Sequence, residues 1–263
     1  MAKERSGAGD PARTLELLWR EPAPADAPPR RGPKQGLSVD AVVQAAIALA
    51  DSGGLEALTM RGVAQRLGVT PMTLYTYVPG KAELLDLMLD TAYLEMEHTA
   101  CSGRPAAAPW RARVEAIARE NLELCRRHPW VATLPATRPP LGPGIIAKYE
   151  HELAAFEGLG LDDIEIDAAL TFLLDFVRSV ARAELDAQAA GRESAMSDAQ
   201  WWEAHAPLLA KVFDAERYPL AARVGSAAGE AHQSAYNPEY AFRFGLARAL
   251  DGLAALIESR AAS

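Results

Sequence analysis

Apolar residues recur every three or four positions along most of the chain, and this spacing most limits the folds open to it. The clearest stretch is 163–190, where Ile, Leu and Val follow one another at helical intervals. The sequence shows no strand-type alternation of apolar and polar residues and no internal repeat. Apolar stripes with this period are buried when helices pack on helices. The sequence therefore predicts an all-α protein.

The ends of the predicted helices are marked by capping residues. Asp162 precedes Glu165 and Ser197 precedes Gln200, both at capping-box spacing, and Asn237 precedes a proline. A loop is expected from Tyr218 to Asn237. The first predicted helices are a short piece at 14–20, a helix that begins after the Ser38 cap and stops at Gly53 and Gly54, a helix at 59–67, and a short helix that begins after the Thr70 cap. Further helices are predicted at 80–97, 109–127, 129–134, 143–157, 163–190, 198–215 and 238–258.

Charge is distributed unevenly. The chain carries a net charge of -8, yet residues 28–81 hold six basic and three acidic side chains. A short basic segment is therefore joined to a long acidic one. A local basic excess favours a nucleic-acid partner for the first segment, despite the overall negative charge.

Composition disfavours several other classes of protein. Cys101 and Cys125 lie 24 positions apart without a metal-ligand pattern, and the acidic run at 162–167 fits a helix N-terminus better than a metal site. We expect no metal and no cofactor. No apolar run approaches the ~20 residues needed to span a bilayer, and the polar start of the chain lacks a signal-peptide core, so we expect a cytoplasmic protein without a membrane partner.

The segment GVTPMTLYTYVPGK, residues 68–81, holds many hydrogen-bonding side chains for its length. Gly68 separates two short helices in a helix-turn-helix arrangement, and the second helix, of about nine residues, begins with Pro71. A helix turns by about 100° per residue, so if Leu74 faces the core its neighbours face outwards. This outward face suits the major groove of DNA. The predicted DNA contacts on it are Thr70, Met72, Thr73, Tyr75 and Thr76.

Basic residues flank this face. Arg61, in the preceding helix, can reach a guanine edge, and Lys81 can bind a phosphate together with the backbone N–H groups of the next helix. Residues 1–36 are predicted to form a flexible arm rich in proline and arginine. Its Arg31 and Lys34, with Arg30, can contact the DNA backbone or the minor groove. Alternatively, these residues only keep a loop soluble.

Residues 38–89 resemble the N-terminal DNA-binding domain of TetR-type transcriptional repressors, above all in LGVTPMTLYTYVPGK. The segments 128–144, 201–219 and 242–258 look like the C-terminal domain of the tetracycline-repressor branch. The resemblance implies that bases are contacted by Arg61, Thr73 and Thr76, and phosphates by Tyr75, Tyr77 and Lys81. It also implies a helix-turn-helix DNA-binding domain at 37–82 and a larger helical domain at 83–263 that dimerises and binds a small-molecule effector.

The second domain carries features that agree with these roles. Apolar stripes on 163–190 and on the last helix, where Gly245, Ala249 and Gly252 allow close approach, could form a four-helix interface between two subunits. Candidate effector contacts are Trp130, His151, Asp175, Arg178, Trp201 and His205. Tryptophans near helix ends are more often ordinary packing residues, and histidines here are more often surface or capping residues. Asp175 and Arg178 are better candidates, because a charge in an apolar helix needs a partner, either a ligand or each other.

Together, these observations predict a ligand-responsive transcriptional regulator, taken as a repressor. It would bind palindromic double-stranded operator DNA as a homodimer and be released by a small-molecule effector. One alternative is a small-molecule-binding helical protein that does not regulate by DNA binding. The other is an all-α enzyme, but the sequence shows no catalytic triad order, metal-ligand spacing or phosphate loop, so we expect no enzyme activity.

Overall fold

The computed structural model describes residues 7, 9–20, 37–96, 108–135, 138–232, 234 and 237–261. Every regular element within these ranges is an α-helix, which confirms the predicted fold class. In chain order the helices are α1 (Pro11–Leu18), α2 (Val39–Ala57), α3 (Met60–Arg66), α4 (Pro71–Tyr75), α5 (Lys81–Leu94), α6 (Trp110–Arg127), α7 (Pro129–Thr133), α8 (Pro143–Leu153), α9 (Asp163–Ser194), α10 (Asp198–Val212), α11 (Pro219–His232) and α12 (Pro238–Ala261).

The predicted caps form as expected. Ser38 Oγ accepts from the backbone N–H of Ala41 at 3.1 Å at the start of α2. Both capping boxes are complete, because the side chains of Asp162 and Ser197 and those of the residues three positions later exchange hydrogen bonds with the backbone. These bonds satisfy N–H groups that a helix start otherwise leaves without partners.

Several helix bounds differ from the predicted ones. α2 does not stop at Gly53 and Gly54; Gly54 adopts a φ of +70° and kinks the chain, which then continues as helix to Ala57. The expected loop at 218–237 contains α11, whose alanine-rich sequence favours a helix without giving a strong apolar stripe. α4 has five residues instead of the expected nine. α9 extends to Ser194.

The described part of the N-terminal region packs against α5. Leu17 and Leu18 of α1 are buried, and the backbone N–H of Gly7 donates to Asp86 Oδ1 at 2.9 Å. Asp10 caps α1, accepting from the N–H of Arg13 at 3.0 Å. The expected flexible arm at 1–36 therefore includes a packed helix, as the apolar cluster at 14–20 suggested. Arg30, Arg31 and Lys34 lie outside the described residues.

Residues after α1 extend this contact in two directions. Trp19 Nε1 donates to the carbonyl oxygen of Leu141 at 2.8 Å, in the segment before α8. Arg20 pairs with Asp40 in the first turn of α2. The described N-terminal segment 9–20 thus contacts α5, α2 and the segment before α8.

One apolar core includes residues of α1 to α9 and of α12, but none of α10 or α11. α5 packs against α1, α2 and α8 and is buried on nearly all sides, with Leu84, Leu85 and Met88 fully buried. The apolar stripes of α9 and α12, expected to serve as core, as a dimer interface or as both, pack at least in part within the chain. Their buried members are Leu170, Leu173, Val177, Val180, Phe242, Leu246, Leu250 and Leu253. None of the helices in the described residues combines the length and hydropathy needed to cross a membrane.

The packing of α1 can be tested by comparing two leucines of the same helix. Leu18→Ala should lower the free energy of unfolding by about 2–4 kcal/mol, because it removes buried methyl groups and leaves a cavity. Leu15→Ala, at a side chain that is 39% exposed, should cost less than about 0.5 kcal/mol. Urea denaturation followed by circular dichroism measures both. Equal, negligible effects would show that α1 does not pack in solution.

Candidate DNA-binding and effector-binding sites

A tight turn orients α4 relative to α3. Gly68, at a φ of +67°, occupies the turn in a conformation that residues with a Cβ rarely adopt. The N–H of Val69 donates to the carbonyl of Ala64 at 3.0 Å, which closes the end of α3. Thr70 Oγ1 then accepts from the N–H of Thr73 at 3.2 Å and starts α4. The predicted helix-turn-helix is therefore present.

One side chain anchors α4 and the others face outwards. Leu74 is fully buried, whereas Met72 is 74% exposed and Tyr75 is 44% exposed. Thr76 is exposed and its hydroxyl donates to the carbonyl of Thr73 at 2.6 Å, while Thr73 itself is half-buried. The outward face that we call the α4 face consists of Thr70, Met72, Thr73, Tyr75 and Thr76. Its exposure follows the geometry predicted from the sequence.

The flanking residues surround the α4 face. Arg61 is exposed in the first turn of α3. Lys81 is the first residue of α5 and is half-buried, and Tyr77 is half-buried against the core. The roles of these residues toward bases and phosphates stay predictions. Arg31 and Lys34 cannot be placed, because they lie outside the described residues.

An aspartate of α2 joins this helix-turn-helix bundle, α2–α4, to α7. Asp51 Oδ1 lies 2.9 Å from His128 Nδ1 and accepts from Trp130 Nε1 at 2.8 Å. Both rings are buried. Trp130, predicted as an effector contact, is therefore held in a contact between α2 and α7 and does not line the cavity described next.

A cavity of about 420 Å³ lies between α5, α6, α8 and α9. Most of its wall is apolar, with leucines from α5, α6 and α9. Pro139 and Pro140, which precede α8, close one side. The polar side chains in the wall are Tyr93, Asn121, Cys125, Lys148, Tyr149, Thr171, Asp175 and Arg178. Its size and mixed lining are typical of a site for a small organic molecule.

A buried polar network forms one part of this wall. Lys148 Nζ and Asn121 Nδ2 each donate to Glu152 Oε1 at 2.6 Å. Lys148 Nζ also lies 5.2 Å from the centre of the Tyr93 ring. Burial raises the pKa of the Tyr93 hydroxyl, and it raises the pKa of the Cys125 thiol to about 11. Both groups therefore stay neutral near pH 7.

The other predicted effector contacts fall in three places. Asp175 and Arg178 line the cavity, but among the described residues they do not pair with each other; Arg178 Nη2 donates to the carbonyls of Val131 and Leu134 at 3.1 and 3.0 Å. His151 Nε2 lies 2.8 Å from Glu120 Oε2, outside the cavity lining. Trp201 and His205 stack on α10, with ring centres 4.1 Å apart, and lie outside the lining as well.

Sequence reasoning missed Lys148, Asn121 and Tyr93. Lys148 and Glu152 stand at i, i+4, the spacing of a common surface ion pair, so the sequence gave no sign that both are buried. Asn121 stands in a helix whose other polar residues are mostly exposed. The sequence feature that indicated burial of Asn121 was the apolar stripe around it in α6.

The start of α8 is held by α5. Asp90 Oδ1 accepts from the N–H of Ile145 at 2.9 Å. A Cβ at Gly144 would collide with the carbonyl oxygen of Asp90, so only glycine allows this approach. Burial raises the pKa of Asp90, and the backbone hydrogen bonds to its carboxylate oppose this effect. Because α8 borders the cavity, this contact joins the cavity wall to α5.

The exposed α4 face and the cavity between α5, α6, α8 and α9 define a helix-turn-helix protein with a helical ligand-binding module. Residues 42–88 match the family described as bacterial regulatory proteins, tetR family, and residues 103–257 match the tetracyclin repressor-like, C-terminal domain. The chain belongs to the TetR family of transcriptional regulators.

Relatives agree with this assignment. The chain is 44% identical over 258 residues to the HTH-type transcriptional repressor DrrR1 of Streptomyces coeruleorubidus, covering 98% of this chain and 90% of that protein. It is also similar to crystal structures of ActR from Streptomyces coelicolor. The apo form gives a TM-score of 0.68 at 26% identity, covering 85% of this chain and 97% of ActR. The complex with actinorhodin gives 0.67 at 27% identity, covering 84% and 96%.

The contact between α2 and α7 predicts a loss of stability in Asp51→Ala. Removing the carboxylate leaves the buried N–H of Trp130 and the ring nitrogen of His128 without their partner, so the free energy of unfolding should fall by about 1–3 kcal/mol. Glu56→Ala removes the same charge from an exposed position of the same helix and should change it by less than about 0.5 kcal/mol. Urea denaturation compares the two. Equal stability of both variants would contradict the contact.

Proposed function

We propose that the protein is a ligand-responsive repressor that binds palindromic operator DNA as a homodimer and is released by a small-molecule effector. The observation that carries this proposal is the α4 face, exposed around the buried Leu74 and flanked by Arg61 and Lys81. The repressor DrrR1 and the ligand complex of ActR support a regulator of this kind. Such a protein acts on DNA in the cytoplasm.

The homodimer is supported by apolar surface that the single chain leaves exposed. Phe172 of α9 and Phe244 of α12 are each more than half exposed, and no other helix within the described residues comes within 4 Å of the Cβ position of Gly252. α10 has no buried residue, and its Val212 is 81% exposed. A soluble monomer rarely exposes so many large apolar side chains. Two-fold pairing through these helices would place two α4 faces about one DNA turn, ~34 Å, apart.

The route from effector to DNA is proposed to run through α5. Leu89 and Tyr93 of α5 line the cavity, while the same helix begins at Lys81 beside the α4 face. An effector that fits the cavity only when α5 is displaced would therefore favour a different separation of the two α4 faces. Release requires only that the effector prefers the conformation that binds DNA poorly.

Regulation is favoured over catalysis by the names of the relatives, which describe transcriptional regulators. A helical small-molecule-binding protein without DNA binding remains the second candidate. Footprinting the full chain on the DNA flanking its own coding region separates the two. Protection of a palindromic site supports the repressor, and absence of any protected site at low salt supports the second candidate.

A change at Arg61 should affect base recognition. Arg61→Ala is expected to weaken operator binding by about 1–3 kcal/mol and to relax base preference at one position of each half-site, because a guanine contact is lost. Arg66→Ala removes the same charge from the other end of α3 and should leave base preference intact. Gel-shift titration against single-base operator variants measures both. Unchanged preference in Arg61→Ala would assign the base contact to another residue.

A change at Lys81 should affect binding regardless of sequence. Lys81→Gln is expected to weaken binding to operator and to unrelated DNA by similar factors, because a phosphate contact carries no base information. The slope of log affinity against log salt concentration should fall by about 1 for each Lys81 in contact. Gel shifts at several salt concentrations measure this slope. A selective loss for the operator alone would contradict a phosphate role.

A further inference from the structure

Arg178 is a cation in the cavity wall. Among the described residues, no carboxylate pairs with it. Its Nη2 donates to two neutral acceptors, the carbonyls of Val131 and Leu134. Neither Nε nor Nη1 of Arg178 donates to a described residue. A guanidinium has five N–H groups in a planar fork, so donors are left over for another acceptor. A half-buried charge without a counter-charge is costly, and a bound anion would remove that cost.

The other charged groups around the cavity are paired or lie at its rim. Lys148 is neutralised by Glu152 at 2.6 Å. Asp175, three residues before Arg178 on α9, is exposed. Behind the wall, Arg126 pairs with Glu184 at 2.7 Å. The interior of the cavity therefore has one unbalanced positive charge, and the rim has one negative charge.

The remaining polar groups near Arg178 are neutral hydrogen-bond donors. Tyr93 and Cys125 line the same cavity as Arg178, and burial raises the pKa of both, so the hydroxyl and the thiol stay protonated. The surrounding wall is apolar, including Leu124, Leu170 and Leu174. This part of the cavity thus offers donors and a positive charge at one point of an otherwise apolar surface.

We infer that the effector is an organic anion, with an apolar body bearing a carboxylate or another acidic oxygen that binds Arg178. This inference rests on the proposed function, because it names the chemistry of the effector that the cavity would take. The guanidinium fork would accept two oxygens of such a group. The leucine and valine side chains would cover its apolar body.

Two dyes of matched shape test this inference in the full chain. 8-Anilino-1-naphthalenesulfonate carries an anionic group that N-phenyl-1-naphthylamine lacks, and both fluoresce when bound in an apolar site. Arg178→Gln should raise the dissociation constant of the sulfonate dye about tenfold or more, while that of the neutral dye changes less than about threefold. Arg178→Lys, which keeps the charge but not the fork, should weaken sulfonate binding less than Arg178→Gln does.

Two further variants link the result to the cavity and to its charge. Leu174→Trp fills the cavity and should weaken both dyes. Asp175→Asn removes the negative charge at the rim. It should lower the dissociation constant of the sulfonate dye by about twofold to threefold and leave that of the neutral dye unchanged. Thermal melting followed by circular dichroism shows whether each variant is folded. If Arg178→Gln is not folded, Arg178→Met takes its place.

Three results would overturn the inference: equal loss of both dyes in Arg178→Gln, unchanged sulfonate binding in that variant, or binding of both dyes that Leu174→Trp leaves intact. The footprint on operator DNA is read separately, without any dye. Protection of the operator together with one of these results would reject the anionic effector alone. Selective loss of the sulfonate dye without any protected DNA would instead reject the repressor and keep the anion site.

Discussion

Burial of α5 is the constraint on which both sites depend. Leu84, Leu85 and Met88 have almost no exposed surface because α1, α2 and α8 cover different sides of the helix. A helix covered in this way cannot shift without repacking its neighbours, since protein interiors are as dense as molecular crystals. The same helix starts beside the α4 face and lines the cavity with Leu89 and Tyr93. Its position therefore sets the geometry of both sites.

Local features were predictable and long-range ones were not. The caps at Ser38, Asp162 and Ser197 and the burial of Leu74 follow from spacing alone, because each involves residues within one or two turns. By contrast, Trp130 is tied to Asp51, 79 positions away, which no local pattern encodes. The cavity was partly predictable. Arg178 stood out as a charge in an apolar helix, whereas the buried Lys148 resembled one half of a surface ion pair.

Three contacts join the cavity region to α5 or to the helix-turn-helix bundle, α2–α4. Asp90 holds the start of α8 against α5, and Asp51 holds α7 against α2. The third contact runs through the N-terminal helix: Trp19 binds the carbonyl of Leu141, next to the prolines that line the cavity, and Arg20 pairs with Asp40 of α2. The N-terminal region therefore links the segment beside the cavity to α2 directly.

Because the acidic residues of α5 are buried, their hydrogen bonds to neighbouring segments depend strongly on where α5 lies. Asp86 and Asp90 are at most 4% exposed, and Glu83 is 8% exposed. Each accepts a backbone N–H from another segment: Asp86 from Gly7, Glu83 from Asp10 and Asp90 from Ile145. A buried carboxylate that loses such a donor has no water to replace it. The free-energy cost of the unpaired carboxylate therefore rises steeply as the donor moves away. A ligand that moves α8 by a small distance must therefore move α5 with it or break a buried hydrogen bond. Moving α5 is the less costly response only if the contacts at Gly7 and Asp10 move as well, which makes α1 part of the unit that responds.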